Sequence, residues 1–185
     1  MYRILLCFLF FSIHVPVLGQ ENYFSGQGTI RFSSEAQQEI IKASSSNLIG
    51  ILNPSKKTFF FKVIIRTFHG FNNSLQQEHF NEKYLESEDF PEASFYGKII
   101  EDIDLTINGI YDLRTKGFLK IHGVEMERII KSKVTVEDDK IKIESHFNIL
   151  LTDHKIKIPR VVHEKIANEI LVDIEIALPK NNGKK

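Results

Sequence analysis

The sequence predicts an all-β fold in which about eight antiparallel strands close into one barrel, with one short helix between strands. Three observations carry this prediction. Apolar and polar residues alternate with a period of two along several long segments, tight turns join neighbouring segments, and the strands are longer than the usual five or six residues. Long meandering strands favour a closed sheet because closure removes exposed edges. We therefore expect an up-and-down barrel rather than a sandwich.

The alternation is clearest in four segments of the chain. Apolar side chains share one parity in residues 59–65, 111–121, 141–149 and 170–178, and charged side chains such as Asp112 and Lys142 take the other parity. This pattern is typical of antiparallel strands with one buried face. Turn-forming residues separate the segments at Asn53–Ser55, Asn108–Gly109, His122–Gly123 and Glu137–Asp139. The last two predict tight hairpins.

Residues 71–95 are the main departure from this β pattern. Ser74 and Gln77 have the spacing of a capping box, which predicts that Ser74 caps a helix that runs to about Glu86. Phe80 and Tyr84 then lie on one face of that helix. Pro91 forces an extended backbone at the preceding residue and ends the helical stretch. We expect one helix that crosses the barrel as a connector.

The N-terminus has the layout of a secretory signal peptide. Arg3 precedes an apolar run, Ile4 to Phe11, and Pro16 follows. The run is shorter than the roughly 18 residues a membrane span needs. We predict a signal peptide over residues 1–19 and a single domain over 20–185, periplasmic or secreted by a bacterium, with no integral membrane segment after cleavage. The only cysteine, Cys7, leaves with the signal, so the mature chain forms no disulfide.

The charge balance and the histidine spacing bear on partners and chemistry. The chain has 24 lysine and arginine residues and 24 aspartate and glutamate residues, so its formal net charge is zero. This balance argues against a nucleic-acid partner.

His79 and Glu82 have helical i, i+3 spacing, but a metal site needs three or four converging ligands, so we predict no metal site. With no spaced nucleophile either, we expect no catalytic residues and no enzyme activity.

Two stretches carry a family resemblance. The first, QQEHFNEKYLESEDFPEASF, contains His79 in a polar helix and then Pro91, Ala93 and Phe95 entering a strand. The second, GFLKIHGVEMERIIKSKV, contains a Leu-x-Ile-His-Gly-Val turn at residues 119–124. Together with the strand rhythm, these motifs resemble the YceI-like family from Gly28 to Leu178.

The resemblance implies a lipocalin-like eight-stranded barrel whose interior is an elongated apolar tunnel for an isoprenoid chain or a similar amphiphile. Family members are often exported to the bacterial periplasm, and the family offers no catalytic residues to carry over. This chain departs from the common pattern at Gln76–Gln77, where many members have Arg-Asp. The segment LLTDHKIKIPRVV also differs from the common family ending.

A barrel of eight strands can be filled by side chains or can hold one small ligand. The expected occupant is an isoprenoid lipid or a quinone, with no resident cofactor. The predicted lining comprises inward-parity residues, which any barrel core would also show: Phe59, Phe61, Val63, Phe95, Tyr111, Leu113, Leu119, Met126, Ile130, Ile143, Phe147 and Val172.

Some inward positions are polar or small. Tyr111, Thr115 and Ser145 share the apolar parity, so they would meet a headgroup or bond inside the barrel. Small residues at Gly97, Gly117 and Ser132 favour room inside.

Three hypotheses follow for function. The leading one is an exported protein that sequesters or carries an isoprenoid-type lipid, alone or as a dimer. The second is a stress-response or interaction module with a filled barrel and an apolar patch outside. The third is an enzyme built on His69, His79, His122 or His163, which requires at least three of these side chains to converge.

Overall fold

Eight antiparallel strands, joined in chain order, form a closed barrel in the computed structural model, which describes residues 23 to 181. Each strand pairs with the next, and the last pairs with the first. The predicted fold class is confirmed, whereas the predicted signal peptide lies outside the described residues. The strands are β1 Tyr23–Glu35, β2 Ile40–Asn53, β3 Thr58–Ile64, β4 Glu92–Ile99, β5 Gly109–Ile121, β6 Val124–Glu137, β7 Lys140–Leu150 and β8 Glu169–Asn181.

The period-two alternation of the sequence follows the two faces of the barrel wall. In β7, Ile141 and Ile143 are buried, whereas Lys142 and Glu144 between them are exposed. The β5–β6 hairpin turns through His122 and Gly123, whose φ angles are 50° and 70°. Two consecutive residues with positive φ match the right-handed twist of the flanking strands, which explains the two-residue turn at the predicted His-Gly step.

The helical segment begins one residue earlier than the sequence predicts. Helix α1 spans Ser74–His79, and its cap is Asn73, whose side chain accepts a hydrogen bond from the backbone N–H of Gln76 at 2.9 Å. The predicted Ser74–Gln77 capping box is therefore wrong, because Gln77 donates its side-chain amide to the Phe68 carbonyl instead. A π-helical turn, Phe80–Tyr84, continues the helix and ends two residues before the predicted limit.

The two ends of the barrel differ in how the strands are connected. At one end, which we call the open end, two long connections cross the barrel, residues 65–91 between β3 and β4 and residues 151–168 between β7 and β8. At the other, the packed end, apolar side chains fill the interior. Leu105 of the β4–β5 loop is 2% exposed there, and Ile141 and Leu178 are completely buried. The cavity beneath the two long connections lies at the open end.

Two facing glycines bring β4 and β5 together. Gly97 and Gly117 are register partners, and a Cβ on Gly117 would lie 2.2 Å from the carbonyl oxygen of Tyr96. Only glycine permits this approach of two backbones. Neither glycine lines the interior cavities described below, so that they leave room inside stays a prediction.

Candidate functional site

A cavity of about 500 Å³ lies at the open end of the barrel. This volume falls within the range of roughly 300–1,000 Å³ that is typical of small-molecule sites. Its lining comes from three sources: inward residues of the barrel wall, the β3–β4 connection and the β7–β8 connection. Most of the lining is apolar, so the cavity suits an apolar guest better than water.

Four phenylalanines form one wall of the cavity. Phe32 of β1 stacks on Phe80 of the π-helical turn with ring centroids 5.4 Å apart and an interplanar angle of 17°. Phe68 and Phe71 complete the cluster, with centroids 5.7 Å and 5.1 Å from Phe80. Phe80 lies on the predicted aromatic face of the helix together with Tyr84, and burial raises the pKa of the Tyr84 phenol. The helix therefore covers the open end through aromatic contacts.

The β7–β8 connection forms a second wall. Ile156, Ile158 and Ile166 line the cavity from this segment. The segment is held at its start, where the Leu151 N–H donates to the Asn168 carbonyl at 2.9 Å, and a left-handed residue, Lys155 with φ 57°, redirects the chain. A stretch that the sequence marked as a departure from the common family ending is thus part of the cavity wall.

A narrow recess of about 80 Å³ extends the cavity into the barrel. The cavity and the recess share lining residues on four strands and on the rim of β5: Ile30, Ala93, Ile121, Ile149 and Val172. The recess ends in the middle of the barrel, where the side chains of the packed end begin. The interior is therefore half filled and half hollow.

Polar groups surround the mouth of the cavity. The Glu39 carboxylate accepts hydrogen bonds from the side-chain amides of Asn72 and Gln76, at 3.1 Å and 2.6 Å. Lys165 lines the same mouth from the β7–β8 connection. His79 also lines it, and its Nε2 accepts a hydrogen bond from Lys83 at 3.0 Å. An amphiphile with its chain inside would place its headgroup among these residues.

The predicted lining residues divide into two groups. Seven of them line the recess, and Val172 also lines the main cavity: Phe61, Val63, Phe95, Leu119, Ile130, Phe147 and Val172. Phe59, Leu113 and Ile143 are buried in the packed core, and Tyr111 packs against that core. That any of them touches a ligand stays a prediction.

Met126 stands apart from both groups because of a gap in the barrel wall. β6 pairs with β7 only from Ser132 onward, so Met126 lies on a part of β6 whose second edge has no strand beside it. Its side chain is 36% exposed. Arg128 bridges the gap by donating to the Asn148 carbonyl at 2.8 Å.

The inward polar side chains singled out from the sequence bond within the barrel. The Tyr111 hydroxyl donates to the Ile107 carbonyl at 3.0 Å, and the Thr115 hydroxyl donates to the Ile130 carbonyl at 3.1 Å. Ser145 and Ser132 share a hydrogen bond of 2.5 Å. These hydroxyl groups therefore bond to one another or to backbone carbonyls.

The histidines make separate contacts. His69 lies against the Thr67 carbonyl and His163 against the Ile158 carbonyl, while His122 contacts Glu86. Between residues 23 and 181, no group of three or more His, Cys, Asp or Glu side chains is arranged to hold a metal ion. Within the same range, no helix has the length and apolar character needed to cross a bilayer.

Sequence reasoning missed the residues that the long connections contribute. Phe68, Phe71 and Leu75 precede or begin the helix, and Ile156, Ile158 and Val162 lie in the second connection. The Ile-Lys-Ile pattern of residues 156–158 was a usable signal, because it is an alternating apolar pattern outside any predicted strand. The site is therefore built as much by connections as by strands.

A sequence profile of the YceI-like domain matches residues 11–178, which is most of the chain. The chain belongs to the YceI-like family. A search of the curated proteins gave no significant match.

Several solved structures share the YceI-like fold of this chain. A polyisoprenoid binding domain from Saccharophagus degradans superposes with a TM-score of 0.69 at 12% identity, covering 85% of this chain and 97% of that domain. BcnA of Burkholderia cenocepacia gives 0.67 at 12% identity, covering 81% and 95%. The Campylobacter jejuni YCEI protein gives 0.53 at 16% identity and covers both chains completely. At these identities the likeness establishes the fold.

Proposed function

We propose that this protein is an exported bacterial binding protein that sequesters or carries an isoprenoid-type lipid, with the apolar chain inside the cavity. The observation that carries the proposal is the apolar cavity of about 500 Å³ beneath the two long connections. It opens beside polar side chains, so it can hold an amphiphile with its headgroup toward solvent.

The physical basis of binding is burial of the chain. Transfer of an aliphatic chain from water to an apolar site contributes about 0.8 kcal/mol for each buried CH₂ group. A branched isoprenoid chain would contact the four phenylalanines of the cavity wall and the isoleucines of the β7–β8 connection. The recess beyond Ala93 would accept the end of the chain, and the packed end limits how deep it can go.

Membership of the YceI-like family and the fold shared with a polyisoprenoid binding domain support this proposal. The competing function, an interaction module with a filled barrel, is favoured only by the packed half of the interior. A filled barrel would leave no cavity at the open end, so lipid binding agrees better with both halves of the interior.

The test uses a substitution that fills the cavity and one that does not. Ala93 lines both the cavity and the recess, so Ala93→Phe places a ring in the proposed path of the chain. Ala177→Phe makes the same chemical change at an exposed position on β8. We expect the fold to tolerate a phenyl ring at position 177, because this side chain is exposed and points away from the core.

Binding is measured as the rise in the unfolding temperature, followed by circular dichroism, when delipidated protein is titrated with polyprenols. Intrinsic tryptophan fluorescence is not usable because the chain has no tryptophan. We expect the parent protein and Ala177→Phe to be stabilised and Ala93→Phe to show at least about a tenfold loss of affinity. Equal affinity in Ala93→Phe, with its unliganded unfolding intact, would contradict a guest in this cavity.

A further inference from the structure

Glu39 lies at the cavity mouth and accepts hydrogen bonds through only one of its two carboxylate oxygens. Both amide donors, from Asn72 and Gln76, bind the same oxygen, Oε1. The other oxygen, Oε2, accepts no hydrogen bond from the residues that the structure describes. Glu39 is half-buried and lines the cavity. This oxygen is therefore free to accept a hydrogen bond from the headgroup of a guest.

Lys165 lies at the same mouth, and its ammonium group is also available to a guest. The N–H of Gln38 donates to the Glu164 carbonyl at 2.9 Å, and the two side chains also share a hydrogen bond. These contacts join the β1–β2 turn to the β7–β8 connection. Glu39 directly follows Gln38 in the chain, and Lys165 directly follows Glu164. Among the described residues, the Lys165 ammonium has neither a hydrogen bond nor an ion pair.

Headgroups differ in how they would interact with Glu39 and Lys165, both in charge and in the hydrogen bonds that they can make. A phosphate or diphosphate at the mouth would meet the fixed negative charge of Glu39, which opposes the attraction of Lys165. A quinone carbonyl or an ether oxygen can accept from Lys165 but cannot donate to Glu39. A hydroxyl can donate to Glu39 and accept from Lys165 at once.

We propose that the Glu39–Lys165 mouth selects amphiphiles with a neutral headgroup that donates a hydrogen bond, such as a primary alcohol. In this arrangement the Glu39 Oε2 accepts from the headgroup and the Lys165 ammonium donates to it. The inference rests on the proposed function, because it assumes that the chain of the amphiphile occupies the cavity.

The experiment compares three probes with one tail: farnesol, farnesyl methyl ether and farnesyl diphosphate. Their dissociation constants are measured for the parent protein, Glu39→Gln and Glu35→Gln. Glutamine at position 39 keeps one acceptor for Asn72 and Gln76 and replaces the free acceptor with a donor. Glu35 is the control because it is an exposed glutamate at the end of β1 and outside the cavity lining.

A hydrogen bond from a hydroxyl to a carboxylate predicts that the parent protein binds farnesol at least about tenfold tighter than the ether. Glu39→Gln should reduce that preference to less than about threefold without weakening ether binding, and Glu35→Gln should leave it unchanged. An undiminished preference for farnesol in Glu39→Gln, or tightest binding of the diphosphate to the parent protein, would overturn the headgroup proposal alone. Failure of all three probes to bind would instead overturn the proposed function, and this inference with it.

Discussion

The Nε2 atom of His122 lies 2.5 Å from the Oε2 atom of Glu86, which joins the β5–β6 hairpin to the end of the helical connection. The same ring contacts Phe90 with centroids 4.7 Å apart, and its Nδ1 donates to the His154 carbonyl at 3.2 Å. His122 thus links both long connections to the barrel. The sequence places His122 in a turn, but it cannot show these partners, which lie more than 30 residues away along the chain.

Replacing His122 by asparagine should loosen the helical connection. Asparagine tolerates the positive φ of this turn position, so the substitution removes the ring contacts with little backbone strain. We expect faster amide hydrogen exchange in residues 74–91, measured by mass spectrometry, with β5 and β6 still protected. His146→Asn is the control, because His146 is an exposed histidine that pairs with Asp173 on the outside of the barrel. Equal exchange in both variants would show that His122 does not anchor the connection.

The cap of helix α1 gives a second prediction. Asn73→Ala removes the side-chain acceptor of the Gln76 N–H, and loss of such a cap costs about 1 kcal/mol of unfolding free energy. Ser74→Ala should cost far less, because Ser74 is the exposed first residue of the helix and alanine is a better helix former. Urea unfolding of the two variants measures both values. A larger loss in Ser74→Ala would favour the cap that the sequence predicted.

His154 makes the stability of the fold depend on pH. It is completely buried, and burial lowers its pKa below the ordinary value of 6.5. Its Nδ1 donates to the Val124 carbonyl at 3.2 Å, while its Nε2 has no hydrogen-bond partner among the described residues. Below pH 6.5 the unfolded chain binds a proton at this residue that the folded protein resists. The contribution of His154 is therefore present above that pH and is lost as the pH falls.

We expect His154→Phe to flatten the pH profile of stability. The difference in slope between the parent protein and the variant should approach about 1.4 kcal/mol per pH unit below pH 6.5, which is the value for one proton. Unfolding free energies from urea titrations between pH 7 and pH 5 measure it. The slope is the relevant quantity, since phenylalanine also removes the bond to Val124. Parallel profiles would show that burial does not lower the pKa of His154 in the folded protein.

The barrel could be predicted from the sequence because its determinants are local. Alternating residues such as Ile141 and Lys142 define the face of a strand, and His122–Gly123 defines a hairpin, without reference to the rest of the chain. The helix was also predictable in place, although its cap was assigned one residue late, because both Asn73 and Ser74 are good capping residues.

The position of the cavity could not be predicted in the same way. Phe59 and Phe61 have the same parity on β3, yet Phe59 belongs to the packed core and Phe61 also lines the recess. Which of them faces open space depends on Leu105, which reaches the core from a loop, and on where the two connections cross the barrel. Those are long-range contacts that period-two patterns do not encode.

The central claim is that the cavity holds an isoprenoid-type lipid. Native mass spectrometry of the protein, purified from its own host, tests it most directly. We predict that the protein carries an added mass, which organic extraction removes and which fragments as an isoprenoid. We also predict that the mass of the protein itself corresponds to a chain whose first residue is near residue 20. A bare protein mass that stays unchanged after incubation with polyprenols and quinones would contradict the claim.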